Sequence, residues 1–353
     1  MTRFTPLPLQ KVLPGLVICL GLFAAVENAV SSTGLFIDDW VLKMDLIFET
    51  RDLCRDQDRS RCEDVPAVLI YSEDGQKDQE IPVRLKTRGN WRLRRDICSI
   101  PPLFIIFPED VTAGTLFAGQ DLLPLTTHCK SKHGKYDNYV LKEYLAYRIY
   151  NLLSEKSVRV RLAYIQYRKS ENSTLPIPHY GFLNEHFRSV AARNGAELWK
   201  TEEFDPSHSD PMEMATMELF QYMIGNTDFS ALAQHNIVLL RDPGGKVTPM
   251  PFDFDFSGLV DAEYAGPPPA LPLTNNRQRL YRGFCHQGLD WDALFRKFRD
   301  KRMQVFELIE SVPGLSERSR RIALKYMKDF YKILDSPKKR QKKIVGACRM
   351  PAP

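Results

Sequence analysis

Residues 225–255 of this 353-residue chain read GNTDFSALAQHNIVLLRDPGGKVTPMPFDFD. An apolar run at 237–240 and a second run that starts at Lys246 flank the turn-forming residues 242–245. Two such runs on either side of a glycine-rich turn predict a β-hairpin, which brings its two ends together. The polar blocks that open and close this segment are therefore expected to lie close to one another.

The two blocks carry side chains that offer oxygen ligands. Asp228 and Asn236 precede the first strand of the hairpin, and Asp253 and Asp255 end the segment. Such oxygens suit Mg²⁺, the ion that bridges nucleotide phosphates in phosphoryl transfer, so the order of the blocks predicts a metal and phosphate site. Each block alone also has a structural interpretation: residues 226–228 would cap a helix that follows them, and the later aspartates would be solvated strand ends.

The N-terminus predicts the compartment. Arg3 and Lys11 precede an apolar run at 12–26, which ends near small residues at 29–31. This pattern is typical of a secretory signal peptide, which we assign to 1–31. The run is shorter than the roughly 20 residues of a membrane span. We therefore expect an exported protein, periplasmic or extracellular, with no stable span after cleavage; an uncleaved anchor is the alternative.

Six cysteines follow the predicted signal peptide, an even number that favours disulfides in an oxidising compartment. Proximity along the chain suggests the pairs Cys54 with Cys62, Cys98 with Cys129, and Cys285 with Cys348. Sequence alone permits fifteen pairings of six cysteines. A zinc site is the weaker alternative, because no two cysteines have the Cys-x-x-Cys spacing of zinc ligands.

The net charge and its distribution indicate no particular binding partner. The formal net charge is +5, and the one basic cluster lies at 338–343, which we interpret as the start of a solvated basic tail over 338–353. Neither this cluster nor the arginines at 92–95 form a nucleic-acid-binding motif with interleaved aromatic residues, so no nucleic-acid partner is expected. An anionic membrane surface stays open as a partner of the tail.

The remaining sequence divides into a strand-rich half and a helix-rich half, judged by alternating or helically spaced apolar residues. The predicted strands are 40–48, 65–71, 81–87, 103–107, 158–167 and 180–183, and the predicted helices are 138–154, 212–224, 291–312 and 316–334. We expect an α+β protein with the layout of a two-lobed protein kinase. An antiparallel sheet lobe with one main helix would span 32–183, and a mainly helical lobe would span 184–337.

Several motifs occur in the order found in CotH-type proteins, the spore-coat H family of atypical secreted kinases, which this chain resembles. They are KTRGN at 86–90, LKEYLA at 141–146, YGFLNE at 180–185, NTD at 226–228 and PFDFD at 251–255. Three further segments, 98–103, 125–129 and 281–285, resemble a branch of uncharacterised exported bacterial relatives. That resemblance supports the pairing of Cys98 with Cys129.

The resemblance implies a kinase-like fold that uses ATP with Mg²⁺ or Mn²⁺ and transfers phosphate to a protein or glycan acceptor. It places Asp228 as the catalytic or metal-organising aspartate and Asn236 as a second metal ligand. It makes Asp253 or Asp255 the principal metal ligand. A glycoside hydrolase is the third candidate function. Two aspartates expected on the same face of one strand suit a shared metal ion better than an acid and a base on opposite sides of a sugar.

The resemblance also implies a nucleotide site in the first half. Backbone amides at Arg88, Gly89 and Asn90 would approach the phosphates, with Lys86, Arg88 or Arg95 as cations. Glu143 would orient one of those cations through an ion pair, and Glu185 belongs to the cofactor-binding set. The structural alternatives are a simple hairpin turn at Gly89 and Asn90 and a solvent-facing Glu143.

Two departures from the family pattern bear on activity. The interval from Asp228 to Asn236 exceeds the kinase spacing of about five residues. An arginine-rich stretch, 92–95, replaces the usual lysine pair, and arginine is not equivalent to lysine at a phosphate. A disulfide-stapled pseudokinase that acts as an envelope or extracellular interaction protein is therefore the alternative to an active kinase.

Overall fold

The computed structural model describes residues 34–56, 58–72, 77–131, 134–169 and 176–350, together with Met1. The predicted signal peptide thus lies outside the described residues, apart from Met1, as do the last three residues of the predicted basic tail. From residue 34 onward the described chain belongs to one compact unit. Within the described ranges, the structure contains no helix with the length and apolar character needed to cross a membrane.

Seven strands of the first half form a closed barrel with the order β1-β2-β3-β4-β5-β7-β6. Their bounds are β1 Leu42–Ile47, β2 Val65–Ser72, β3 Gln79–Thr87, β4 Leu103–Ile106, β5 Leu122–Thr126, β6 Val160–Arg168 and β7 His179–Asn184. Neighbours pair antiparallel except β1 and β6, which pair in parallel and close the ring. The expected antiparallel sheet lobe is therefore corrected to a barrel with one parallel seam.

Side-chain alternation explains why these strands curl around a core. On β3, Ile81, Val83, Leu85 and Thr87 are buried, while the residues between them are more exposed. Alternate side chains of a strand point to opposite faces, so one face of β3 fills the barrel. Apolar residues from all seven strands form this inner cluster or, at its rim, the neighbouring helical core.

The main helix of the first half is α1, Lys135–Asn151. It packs against β7 and β6 on one side and reaches a helix of the second half on the other. Most of its residues are buried, including Lys142 and Glu143. Since its apolar residues join the core of the helical half rather than that of the barrel, α1 connects the two halves.

The second half is mainly helical. It contains α2 Phe187–Arg193, α3 Pro211–Ile224, α4 Trp291–Asp300, α5 Arg302–Ser311, α6 Glu317–Leu334 and α7 Pro337–Lys343, with a three-stranded sheet of β8 Glu197–Trp199, β9 Ile237–Arg241 and β10 Val247–Pro251. The hairpin of β9 and β10 agrees with the sequence prediction. The predicted helix 291–312 is wrong as a single helix, because it breaks at Lys301 into α4 and α5.

The structure joins the six cysteines in the three pairs suggested by chain proximity, with sequence separations of 8 for Cys54–Cys62, 31 for Cys98–Cys129 and 63 for Cys285–Cys348. The last pair fixes the C-terminal segment beside residues 283–285, where backbone hydrogen bonds also connect the two. The basic cluster at 338–343 therefore belongs to helix α7, and it is followed by a 3-10 helix at Val345–Ala347 and by the disulfide-bonded Cys348.

Candidate functional site

A cavity of about 700 Å³ lies between the barrel and the β9–β10 hairpin. That volume is typical of small-molecule and cofactor sites. The barrel side contributes Lys86, Thr87, Arg88, Gly89, Asn90, Trp91, Arg92, Pro102, Phe104 and Pro124, and the opposite side contributes His186, Phe187, Asp228, His235, Asn236, Phe252, Asp253, Asp255 and Phe256. Of the residues predicted for the site, three do not line this cavity: Arg95, Glu143 and Glu185.

The loop after β3 brings backbone to the cavity wall. Gly89 has φ +78°, a left-handed conformation that glycine adopts without steric cost, and a Cβ there would meet nothing within 4 Å. Arg88 Nη2 donates to Thr126 Oγ1 at 3.0 Å, and burial lowers the Arg88 pKa. Lys86 lies 3.9 Å from Asp64 on the partly exposed rim. Arg95, the third cation proposed from the sequence, is absent from the lining.

The partner of Glu143 is Arg92, a residue for which the sequence suggested no such role. Arg92 Nη1 lies 3.6 Å from Glu143 Oε2, and its Nε lies 3.5 Å from Asp255 Oδ2. Its Nη2 donates to Asp253 Oδ1 at 3.0 Å. One guanidinium therefore meets three carboxylates, two of them buried. The prediction that Glu143 orients Lys86, Arg88 or Arg95 is wrong in its choice of partner, and the solvent-facing alternative for Glu143 is excluded.

This cluster contains one cation and three carboxylates, and the pKa values of its members are shifted by burial and by these charges. Burial raises the pKa of Glu143 and of Asp255, and Arg92 opposes the rise in both cases. Burial alone would lower the Arg92 pKa, but the carboxylates of Asp255, Glu143 and Asp253 raise it well above its ordinary value. Tyr264 also donates to Asp255 Oδ2 at 3.1 Å. The cluster holds Arg92 as a permanent cation.

Asp228 lies in a turn on the cavity wall opposite the barrel, and both its backbone and its carboxylate make hydrogen bonds. Its backbone N–H donates to Asn226 Oδ1 at 3.0 Å, and no helix follows, so the capping alternative is wrong. Asn236 Nδ2 donates to the Asp228 backbone oxygen at 2.8 Å and to Oδ2 at 3.1 Å. His235 Nε2 lies 2.9 Å from Oδ1. The Asp228 carboxylate is therefore oriented by Asn236 and His235.

Asp253 and Asp255 lie beyond the end of β10 rather than on a strand, which corrects the expectation of two aspartates on one strand face. Asp253 has φ +60°, and its N–H donates to Tyr147 Oη at 2.8 Å. This bend directs the partly exposed Asp253 to the cavity, while Asp255 is buried. A non-glycine residue at positive φ marks a position held by its surroundings, here by Tyr147 of α1.

Glu185 has a structural environment. Its Oε1 accepts from Arg193 Nε at 2.8 Å and its Oε2 from Arg193 Nη2 at 3.0 Å, and Oε2 also accepts from the backbone of Arg159. The residue is buried and outside the cavity lining. Glu185 therefore joins α2 to the residue that precedes β6, and the cofactor contact suggested by sequence stays a prediction.

The apolar part of the cavity was not foreseen. Phe104 of β4 lies on one wall, and Phe187 and Phe252 lie on the other with ring centroids 4.9 Å apart. Along β4, Phe104 alternates with the buried Leu103 and Ile105. Its position between these two residues is the sequence signal that indicates an aromatic side chain facing out of the barrel. The cavity therefore combines aromatic walls with a cationic loop and an acidic end.

The oxygen donors suit a divalent ion that is shared with a ligand. Asp228, Asn236 and Asp253 line one cavity, yet the described residues contain no group of three or more His, Cys, Asp or Glu side chains placed to hold an ion. Mg²⁺ commonly binds one or two carboxylates and completes its shell with phosphate oxygens and water. The donor set fits that mode and does not fit a closed protein cage.

The chain has similarity to known proteins at the level of solved structures. No family model and no curated protein matches the chain. Among solved structures, the chain is similar to the Helicobacter pylori proinflammatory kinase CtkA at 13% sequence identity and a TM-score of 0.37. The match covers 67% of this chain and 88% of that one.

Proposed function

We propose that this chain is an exported, CotH-like atypical kinase that transfers phosphate from ATP to a protein or glycan acceptor with Mg²⁺ or Mn²⁺. One observation carries the proposal. A single cavity has the Arg88–Asn90 turn on one wall and Asp228, Asn236 and Asp253 on the other. Phosphoryl transfer depends on positioned phosphates, neutralised charge and a carboxylate near the acceptor hydroxyl, and these groups match those needs.

Different residues of the cavity would bind the base, the triphosphate and the divalent ion. An adenine ring would stack against Phe104, Phe187 or Phe252, since flat aromatic walls suit a planar base. The triphosphate would then face Lys86 and the backbone at Gly89. Asp253 and Asn236 would hold the divalent ion, which when bound neutralises charge on the transferred phosphate.

Asp228 would receive the proton of the acceptor hydroxyl. Its Oδ1 faces His235 and its Oδ2 accepts from Asn236, so the carboxylate is fixed in orientation without being buried. A carboxylate fixed at the cavity wall can accept a hydrogen bond from an alcohol and draw it toward the phosphate. Arg92 acts through other groups: it ties Glu143 of α1 to both aspartates after β10.

The Arg92 contacts also favour a second candidate, the pseudokinase or envelope interaction protein. A guanidinium already pairs with Asp253 and Asp255, the two aspartates between which the sequence left the principal metal ligand open. If that pairing persists when nucleotide is present, the metal ligands stay neutralised and the cavity binds no metal nucleotide. The disulfide-stapled body would then serve as a binding surface.

Titration calorimetry of the oxidised protein with ATP and Mg²⁺ or Mn²⁺ separates the two. The kinase proposal expects metal-dependent binding that is lost in Asp253→Asn. It also expects Asp228→Ala to keep binding and lose phosphate transfer. Asp300→Asn, an exposed aspartate at the end of α4, is the matched control. No binding at millimolar nucleotide by a folded protein, or binding that is equal in Asp253→Asn, would move the assignment to the pseudokinase.

A further inference from the structure

The last two helices carry a concentration of positive charge that the proposed site does not use. Residues 317–343 contain eleven lysines and arginines against three acidic residues, a formal net charge of +8 in a chain whose total is +5. The rest of the chain is therefore net negative. The exposed charges of the two helices lie near one another, because α6 and α7 are consecutive and pack against each other.

The spacing of the cations on α6 places them on one face. Exposed side chains occur at 318, 321, 325, 328 and 332, at intervals of three or four residues. Such intervals keep side chains on the same side of a helix, here over about 21 Å of helix length. The opposite face is buried through Tyr326, Met327 and Phe330.

Helix α7 extends the array. Lys338, Lys339, Lys342 and Lys343 are exposed, while Arg340 turns inward, where its Nη1 donates to the Leu334 carbonyl at 2.7 Å and its guanidinium lies over Phe295. Arg340 thus fixes α7 to the body of the protein. The basic face is defined here as the five α6 cations and the four α7 lysines.

Most of these charges have no fixed counter-charge. On α6, Arg321 lies 3.6 Å from Glu317 and Lys332 lies 2.9 Å from Asp329. Among the described residues, no carboxylate oxygen lies within 4.0 Å of Lys325, Lys328 or the four α7 lysines. Like charges at this density repel one another, and a layer of external anions relieves that repulsion.

From this surface we infer that the chain docks peripherally, through its basic face, on a membrane that contains anionic phospholipids. Seven of the nine cations are lysines, flexible point charges that suit a diffuse anionic surface, whereas planar arginines suit the bidentate recognition of single phosphates. The aromatic residues of α6 at 326, 330 and 331 are buried, so the face offers no stacking platform for single-stranded nucleic acid. The exposed Ile322 lies among the cations and can enter the headgroup layer.

The orientation has a consequence for the cavity. Tyr326, on the buried face of α6, packs closely against Gly225 and Gly258. These glycines lie near the two polar blocks, the one that contains Asp228 and the one that contains Asp253 and Asp255. The basic face and these blocks lie on opposite sides of α6. A chain docked through that face keeps its candidate site on the side away from the lipid.

Co-sedimentation of the full oxidised chain with vesicles tests the proposal. The vesicles are phosphatidylcholine alone or phosphatidylcholine mixed with phosphatidylglycerol. We expect binding to the mixed vesicles that weakens as salt rises and exceeds binding to phosphatidylcholine. Each lysine near an anionic surface adds about 1 kcal/mol, so Lys325→Glu with Lys328→Glu should weaken binding at least about tenfold.

The matched control is Lys43→Glu with Lys200→Glu, which changes the total charge equally at exposed lysines outside the basic face. It should bind as the wild type does. The proposal fails if the two double variants lose binding equally, if neither loses it, or if the wild type does not distinguish the two vesicles. Tighter binding to a DNA duplex than to the mixed vesicles at the same salt would also overturn it, in favour of nucleic acid.

Discussion

Arg92 Nη2 donates to Asp253 Oδ1 at 3.0 Å, although 161 positions separate the two residues in sequence. Arg92 belongs to the loop that leaves the barrel, and Asp253 belongs to the bend after β10. The same guanidinium reaches Glu143 on α1. One side chain at the edge of the cavity thus connects the loop after β3, helix α1 and the bend after β10, which are far apart in the sequence.

We expect Arg92→Ala to destabilise the protein by about 3–5 kcal/mol, because it leaves the buried carboxylates of Glu143 and Asp255 without their cation. Arg92→Lys should recover part of this loss, since an ammonium group supplies the charge but cannot reach three carboxylates as a planar guanidinium does. Urea unfolding at neutral pH measures both. Arg94→Ala, at an exposed arginine paired with Asp96, is the control and should change stability by no more than about 0.5 kcal/mol. Equal effects of the two alanine variants would show that Arg92 does not hold the cluster.

Local pattern was sufficient for most elements. The predicted helix 212–224 matches α3, and 316–334 matches α6 with Ser316 as its N-cap, whose side chain accepts from Ser319 N–H. The turn at 242–245 joins β9 to β10 as its glycines indicated. These features depend on residues that are neighbours in the chain, and their chemistry can be read from the sequence directly.

Long-range geometry was not accessible in the same way. The barrel closes through the parallel pairing of β1 with β6, whose residues Leu42 and Ala163 lie far apart in sequence. Nothing in an alternating pattern specifies which strand pairs with which. The choice of Arg92 over its neighbours also depends on where the loop leaves β3, since several arginines there have similar local sequence.

His128 should make the protein sensitive to mild acid. The ring is buried and stacked on His179 with centroids 3.9 Å apart, and burial together with the neighbouring His179 lowers the His128 pKa to about 3. The unfolded chain takes up a proton near the ordinary value of 6.5, while the folded chain does not. The unfolded state therefore binds more protons, and stability falls as pH drops from 6.5 toward about 3, by about 2 kcal/mol at about pH 5.

Comparison of urea unfolding at about pH 7 and about pH 5 checks this. His128→Gln removes the titrating group and should lose less stability than the wild type over that interval, whatever its stability at neutral pH. The exposed His208→Gln is the control and should keep the wild-type acid sensitivity. An unchanged pH dependence in His128→Gln would assign the acid sensitivity to other groups.

The three disulfides should differ in their contribution to stability. The Cys285–Cys348 bond spans 63 residues and the Cys54–Cys62 bond spans 8. In the chain-entropy model, the longer loop stabilises by about 4 kcal/mol and the shorter by about 2.5 kcal/mol. Double serine variants of each pair, compared by urea unfolding in the absence of reductant, should follow this order.

The longer bond should also affect the loop that contains Asp228. Arg282, three residues before Cys285, donates to the backbone oxygens of Thr227 and Phe229, on either side of Asp228. Loss of the Cys285–Cys348 bond should therefore increase amide hydrogen exchange at 227–229, whereas loss of Cys54–Cys62 should not. Equal exchange in the two variants would separate the disulfide from that loop.

Gly225 and Tyr326 give a test of close packing beneath the acidic blocks. Gly225 has φ +67°, and a Cβ at this position would overlap the hydroxyl of Tyr326. Gly225→Ala should cost several kcal/mol, about 1 kcal/mol of it from the left-handed backbone and the rest from overlap. Tyr326→Phe alone should be neutral or slightly stabilising, because the buried hydroxyl has no hydrogen-bond partner among the described residues. The double variant should recover the overlap part of the loss but not the backbone part. If Tyr326→Phe gives no recovery in urea unfolding, the overlap is not the source of the cost.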